Sequence, residues 1–201
     1  MKTIALTGTL RTDLGKKSTK ALRNAGLIPC VLYGGEKNHH FSLTHKALRD
    51  LIYTNEFRTA EVELDGAKYA AIVKTVQFHP VTDAIQHVDL LQLVEGQTVL
   101  AEIPVKLVGA AEGVKTGGVL MQKIRKLTIK TTPDQLTSVI EVDVEHLGLG
   151  KSIRIREVKV ADGVEIMNSG GIPLASVEIP RALRSSEAKV EEDAEAEAEA
   201  E

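Results

Sequence analysis

The chain has 201 residues, of which 43% are hydrophobic, 26% charged and only 3% aromatic, with a net charge of −3. That is enough apolar material for two modest domains, and no apolar run approaches the roughly eighteen residues that a membrane helix requires. Polar residues interrupt Met1-Lys2-Thr3-Ile4-Ala5-Leu6 too early for a secretory signal, so the expected compartment is the cytoplasm.

In chain order, Ile4, Leu6 and Leu10 carry a strand-like alternation into the block Gly15 to Gly26. That block reads as a short helix capped by Ser18 or Thr19 and stopped by Gly26. Ala21, Leu22 and Ala25 can face a core, while Lys16, Lys20 and Arg23, spaced by four and three, share an outward stripe. Over the first 49 residues nine Lys or Arg stand against Asp13 and Glu36 alone, a local excess that favours polyanions. The apolar run Pro29 to Tyr33 holds Cys30, the single cysteine, which reads as a buried, inert thiol. Lys46 to Tyr53 has helical spacing behind a Thr44 cap. Ala60–Leu64 and Lys68–Val73 flank Asp65-Gly66, the dipeptide of a two-residue hairpin turn. Lys74 to Pro80 extends that second strand, and Ala84 to Val94 forms another.

Within this last strand Val88 and Leu90 share a core face, which leaves His87 and Asp89 together on the other, roughly 7 Å apart. Gln77 and His79 pair in the same way on the strand before it. A sheet face with His, Asp and Gln suits ribose 2′-hydroxyls and base edges in a shallow RNA minor groove, with the basic helix on phosphates. So few aromatics leave little to stack splayed bases on. Other chemistries find less support. His79, His87 and Asp89 lack the Cys, HExxH or water-activating Glu of a metal site, and His39, His40 and His45 are a surface cluster at most. Gly109 to Gly118 and Gly15-Lys16-Lys17-Ser18 both miss phosphate-loop spacing. No enzyme is expected, and neither a cofactor, a metal nor a small-molecule substrate.

The region from Glu95 onward is strand-rich. Val99, Ala101, Ile103, Val105 and Leu107 alternate, as do Ile140, Val142 and Val144, while Ile153-Ile155 and Val158-Val160 suggest a strand broken by a bulge. A β-barrel or sandwich with near-neutral charge is expected, which makes it a poor main grip on RNA. The last fifteen residues, Glu187 to Glu201, hold eight acids and one Lys, so they read as a disordered acidic tail and everything before them is net positive.

These motifs resemble those of a known family. Arg11 with Gly15-Lys16, Ala21-Leu22-Arg23-Asn24-Ala25-Gly26-Leu27-Ile28-Pro29 and Val31-Leu32-Tyr33-Gly34-Gly35 are similar to the N-terminal signature of the bacterial large-subunit ribosomal proteins of the L-twenty-five family. Val73 to Pro80 and His87-Val88-Asp89-Leu90-Leu91 resemble its second signature, and Gly109 to Leu120 with Ile140 to Val144 resemble the extra domain of its long, CTC or general-stress form. The resemblance implies a mainly β fold with a few short helices: a six-stranded-type RNA-binding barrel over 1–94, a β domain over 95–182 and an acidic tail over 183–201. It implies a structural role in the large ribosomal subunit, with binding to 5S ribosomal RNA at loop E in the central protuberance. Arg11 and Arg23 would meet phosphates or groove edges, Tyr33 the backbone, and His87 with Asp89 the minor groove. Lys16, Lys20, Gln77 and His79 are further candidates, resting on the helix stripe and strand parity. Neighbouring ribosomal proteins and RNA would be the other partners, with no membrane contact. Asn24 and Phe78 stand where relatives commonly carry Arg, and Leu90 where Phe is common. Two rivals differ in class: a stress-induced interaction module acting mainly off the ribosome, and a detached anticodon-binding fragment of a glutaminyl-tRNA synthetase.

Overall fold

The computed structural model describes residues 1–161 and 163–180. The expected acidic tail lies outside the described residues. Within them the chain is strand-rich, with three short α-helices. It divides into two compact units, which among the described residues are Met1–Pro104 with Thr128–Val139 and Ala161–Ile166, and Val105–Leu127 with Ile140–Val160 and residues 167–180.

The first unit holds β1 (Thr3–Thr7), β2 (Thr9–Leu10), α1 (Lys16–Asn24), β3 (Leu27–Tyr33), β4 (His39–Thr44), α2 (His45–Ile52), β5 (Thr59–Leu64), β6 (Ala67–Phe78) and β7 (Ile85–Gln92). Its seven strands run in the order β1-β5-β6-β7-β3-β4-β2. β1 pairs in parallel with β5 at one edge and β2 antiparallel with β4 at the other, yet only Gly8 separates them in sequence. One N-terminal strand therefore bridges both edges, which closes the sheet and leaves six strands around a barrel. Gly8 has to be glycine for steric reasons: a Cβ there would stand 2.6 Å from Phe41 Cδ2 and 2.8 Å from Leu64 Cδ2. The barrel is filled by Leu6, Ile28, Cys30, Leu32, Phe41, Leu43, Val62, Leu64, Val88 and Leu90, all buried.

Several local expectations hold for the expected reasons. Asp65 (φ 48°) and Gly66 (φ 84°) both adopt the left-handed conformation of a two-residue turn between β5 and β6. The Thr44 hydroxyl accepts from the Ala47 N–H at 3.4 Å and caps α2, which buries Leu48 and Leu51. Pro29 has no N–H to donate, and the pairing of β3 with β7 starts one residue later, with Cys30 opposite Val88.

Helix α1 departs from expectation. It starts at Lys16 on an N-cap Gly15 with φ 134°, so Ser18 and Thr19 fall inside the first turn and cannot cap it. Their hydroxyls turn back instead, Thr19 donating to Gly15 O at 2.9 Å and Ser18 to Asp13 O at 3.1 Å. None of its residues is buried; Leu22 is half-buried, while Ala21 and Ala25 are exposed. Gly26, at φ 77°, ends the helix as expected.

The remaining strands are β8 (Val99–Val108), β9 (Val119–Gln122), β10 (Lys126–Thr131), β11 (Ile140–Asp143), β12 (Ser152–Arg154), β13 (Glu165–Ile166) and β14 (Pro173–Glu178). In the second unit β11 runs parallel to the second half of β8, and β12-β14-β9 form an antiparallel sheet. The strand expected to continue through Val158-Val160 stops at Arg154. Ile155–Glu157 form a 3₁₀ turn, because Glu157 accepts the Arg154 N–H at 3.3 Å and folds the backbone back. The glycine-rich stretch includes a single helical turn, α3 (Glu112–Lys115), in which Gly113 packs so closely on the Gly148-Leu149 backbone that a Cβ would lie 2.7 Å from it.

Candidate nucleic-acid interface

In a closed barrel every strand turns alternate residues outward, so the pairing register decides which outward residues become neighbours. Val31 on β3 stands opposite His40 on β4 and, on its other side, opposite Asp89 on β7. Asp89 in turn stands opposite Thr75 on β6. At the far end, the Arg11 N–H donates to His40 O at 2.9 Å. Four strands, with Arg11 just past the end of β2, thus present one row, Arg11-His40-Val31-Asp89-Thr75, about 19 Å long at the usual strand spacing. A neighbouring row contains Gln77 opposite His87.

Thr75 and Gln77 reach this face through a bulge. Val73 pairs with the buried Leu90, but the register shifts before Thr75, so Lys74 is an extra residue and the parity of β6 inverts there. Simple alternation from the core residue Ala71 would have sent Gln77 inward. Lys74 is held at the bulge by donating to Leu100 O at 3.1 Å.

His87 Nδ1 lies 2.9 Å from Asp89 Oδ1, an ion-pair distance, though not aligned as a hydrogen bond, and Nδ1 is buried without another partner. Arg11 donates from Nη2 to Asp13 O at 3.2 Å, while its Nε is enclosed with no partner. Tyr33 follows Val31 on the same strand face, two residues on. Its hydroxyl is pushed towards the neutral form first by partial burial and then by the negative charge of Asp89. Below the face, burial raises the Cys30 thiol to about 12, with Arg11 opposing and Asp89 adding to the shift.

Helix α1 packs against β3 beside these rows. Arg23 Nε donates to Gln86 O on β7 at 3.1 Å, which lays its guanidinium along the sheet, while Lys16 and Lys20 are exposed. His79 is placed differently. It lies beyond the end of β6, past a second register shift at Gln77/Phe78. Its Nδ1 accepts from the N–H groups of Val81 and Thr82, both at 3.3 Å, so the ring holds the turn between β6 and β7. The structure therefore gathers Arg11, Arg23, Tyr33, Gln77, His87 and Asp89 around one face and gives His79 a structural task.

Comparison with known proteins matches residues 6–90 to the Ribosomal L25p family and residues 98–181 to the family described as Ribosomal protein TL5, C-terminal domain. The chain is 42% identical over 195 residues to the large ribosomal subunit protein bL25 of Phocaeicola vulgatus, covering 94% of this chain and 98% of that one. It is 43% identical to the bL25 protein of Parabacteroides distasonis, covering 94% and 100%, and 41% identical to that of Cytophaga hutchinsonii, covering 94% and 97%. The chain belongs to the ribosomal L25p family.

In this member of the L25p family two outward residues of the face escape simple pattern reading. His40 sits on β4, whose His39-His40-Phe41-Ser42-Leu43-Thr44 holds only two apolar residues and is too polar to stand out as a strand in the sequence. Thr75 is hidden by the bulge. The one available signal was the apolar pair Phe41 and Leu43 at a spacing of two, which implies that His40 and Ser42 face the other way. Chemically the face combines fixed cations at its margin with a carboxylate, imidazoles, an amide and a hydroxyl across it. The margin suits phosphates, and the middle suits groups that both donate and accept.

Proposed function

We propose that this chain is a structural component of the large ribosomal subunit, ribosome-associated in the cytoplasm, that binds 5S ribosomal RNA at the loop E region in the central protuberance. Residues 1–94 are the recognition domain, residues 95–182 contact neighbouring ribosomal protein or RNA more weakly, and residues 183–201 form the acidic tail. The family membership and the names of the bL25 relatives support the ribosomal part of this reading. The observation that carries the RNA part is the registered row that runs from Arg11 through His40 and Asp89 to Thr75, with His87 and Gln77 in the neighbouring row and the cationic α1 alongside.

Arg11, Arg23, Lys16 and Lys20 neutralise phosphates and set orientation. Asp89 accepts from amino or 2′-hydroxyl groups of a shallow minor groove, His87 and Gln77 supply further donors and acceptors, and Tyr33 packs against the sugar-phosphate backbone. The role is recognition and architecture, without bond chemistry. Titration of the full chain with 5S ribosomal RNA and with an unrelated hairpin, at several salt concentrations, tests this reading. Selective binding to 5S RNA that persists as salt is raised is expected. Equal affinity for both RNAs would reduce the face to a nonspecific polyanion patch.

A further inference from the structure

We propose that His40 is an additional specificity-determining RNA contact of this face, an inference that rests on the face being the RNA-binding surface. The register places it there. Phe41 and Leu43 are buried in the barrel, so His40 between them in parity faces outward, opposite Val31 and beside Arg11. Val31 is a short apolar side chain, which leaves His40 and Asp89 as polar walls about 10 Å apart on either side of a low floor. An imidazole on one wall and a carboxylate on the other supply both a donor and an acceptor to groups lying across the strands.

The ring is also uncommitted. Among the described residues the His40 imidazole has no hydrogen-bond, ion-pair or ring partner, whereas His39, one residue earlier, packs against Tyr69 in a tilted ring contact with centroids 5.1 Å apart. His79 is occupied by its turn and His87 by Asp89. His40 is half-buried, so its orientation is restricted before any ligand arrives and little rotamer freedom is left to lose on contact. The chemistry that it fits is a ribose 2′-hydroxyl or a minor-groove base edge, each of which can pair with an imidazole nitrogen.

The test compares full-length wild type, His40→Ala, His40→Gln and His39→Ala for binding to 5S ribosomal RNA and to an unrelated hairpin, with thermal unfolding of each. His40→Ala should lose about tenfold in 5S affinity while hairpin affinity and salt slope stay unchanged. His40→Gln, which keeps a hydrogen-bonding side chain, should recover part of that loss, and His39→Ala should bind like wild type. If His40→Ala unfolds early, His40→Leu keeps the bulk without the nitrogens and gives the same comparison. A selective wild type with an equally selective His40→Ala chain overturns this proposal and leaves the RNA reading intact. A wild type that does not discriminate between the two RNAs overturns that reading, and the His40 role with it.

Discussion

Single residues on the outer face divide into those that attract and those that discriminate. Arg23 extends from an exposed helix and is tied to the sheet by one bond to Gln86 O. Its replacement by Ala should weaken binding to any RNA and reduce the salt slope by about one, read from affinity against salt concentration. Asp89→Ala should act oppositely, lowering discrimination between 5S RNA and a hairpin while the salt slope stays the same or steepens, because a carboxylate has been lost from a cationic surface. Cys30 gives a prediction independent of RNA. Burial raises its thiol from 9.0 to about 12, so the folded state favours the neutral form. The resulting stability is complete below pH 9 and is lost as pH rises towards 12. Thermal melts should therefore show wild type losing stability faster above pH 9 than Cys30→Ala, which lacks the thiol, although Cys30→Ala starts lower because of the small cavity it leaves.

Among the elements, the divided N-terminal strand governs the barrel. β1 and β2 satisfy opposite edges only because the backbone at Gly8 can pass close to Phe41 and Leu64. Gly8→Ala forces those two buried side chains to shift and should cost about 1–3 kcal/mol, measured as a lowered denaturant midpoint with an unchanged slope. Helix α1 is at the other extreme, with no buried residue and no side-chain cap, so its position depends on short connections to β2 and β3 and on Arg23. The hairpin at Asp65-Gly66 and the cap at Thr44 were legible in advance because each depends on a residue's own conformational preference. The α1 start is not legible in the sequence because two hydroxyls inside the first turn resemble a cap equally well, and only the course of the incoming backbone at Gly15 fixes it.

For the whole molecule, charge is unevenly distributed along the chain. Eight acids after Ser186, against one Lys, offset a net positive remainder. A chain cut after Ser186 should bind unrelated polyanions more tightly than the full chain at low salt, and the difference should vanish as salt is raised, as measured with the same hairpin RNA. The sequence by itself determined the strand-rich class, the buried thiol, the hairpin turn and the pairing of His87 with Asp89, because alternation, turn chemistry and composition act over a few residues. It also carried the family signatures. Tertiary structure alone decided that β1 and β2 close the sheet, that the Lys74 bulge inverts β6, and that Arg11, His40, Val31, Asp89 and Thr75 fall in one row. Strand order and register depend on hydrogen bonds between segments far apart in the chain, and a one-residue slip reverses which face every side chain takes.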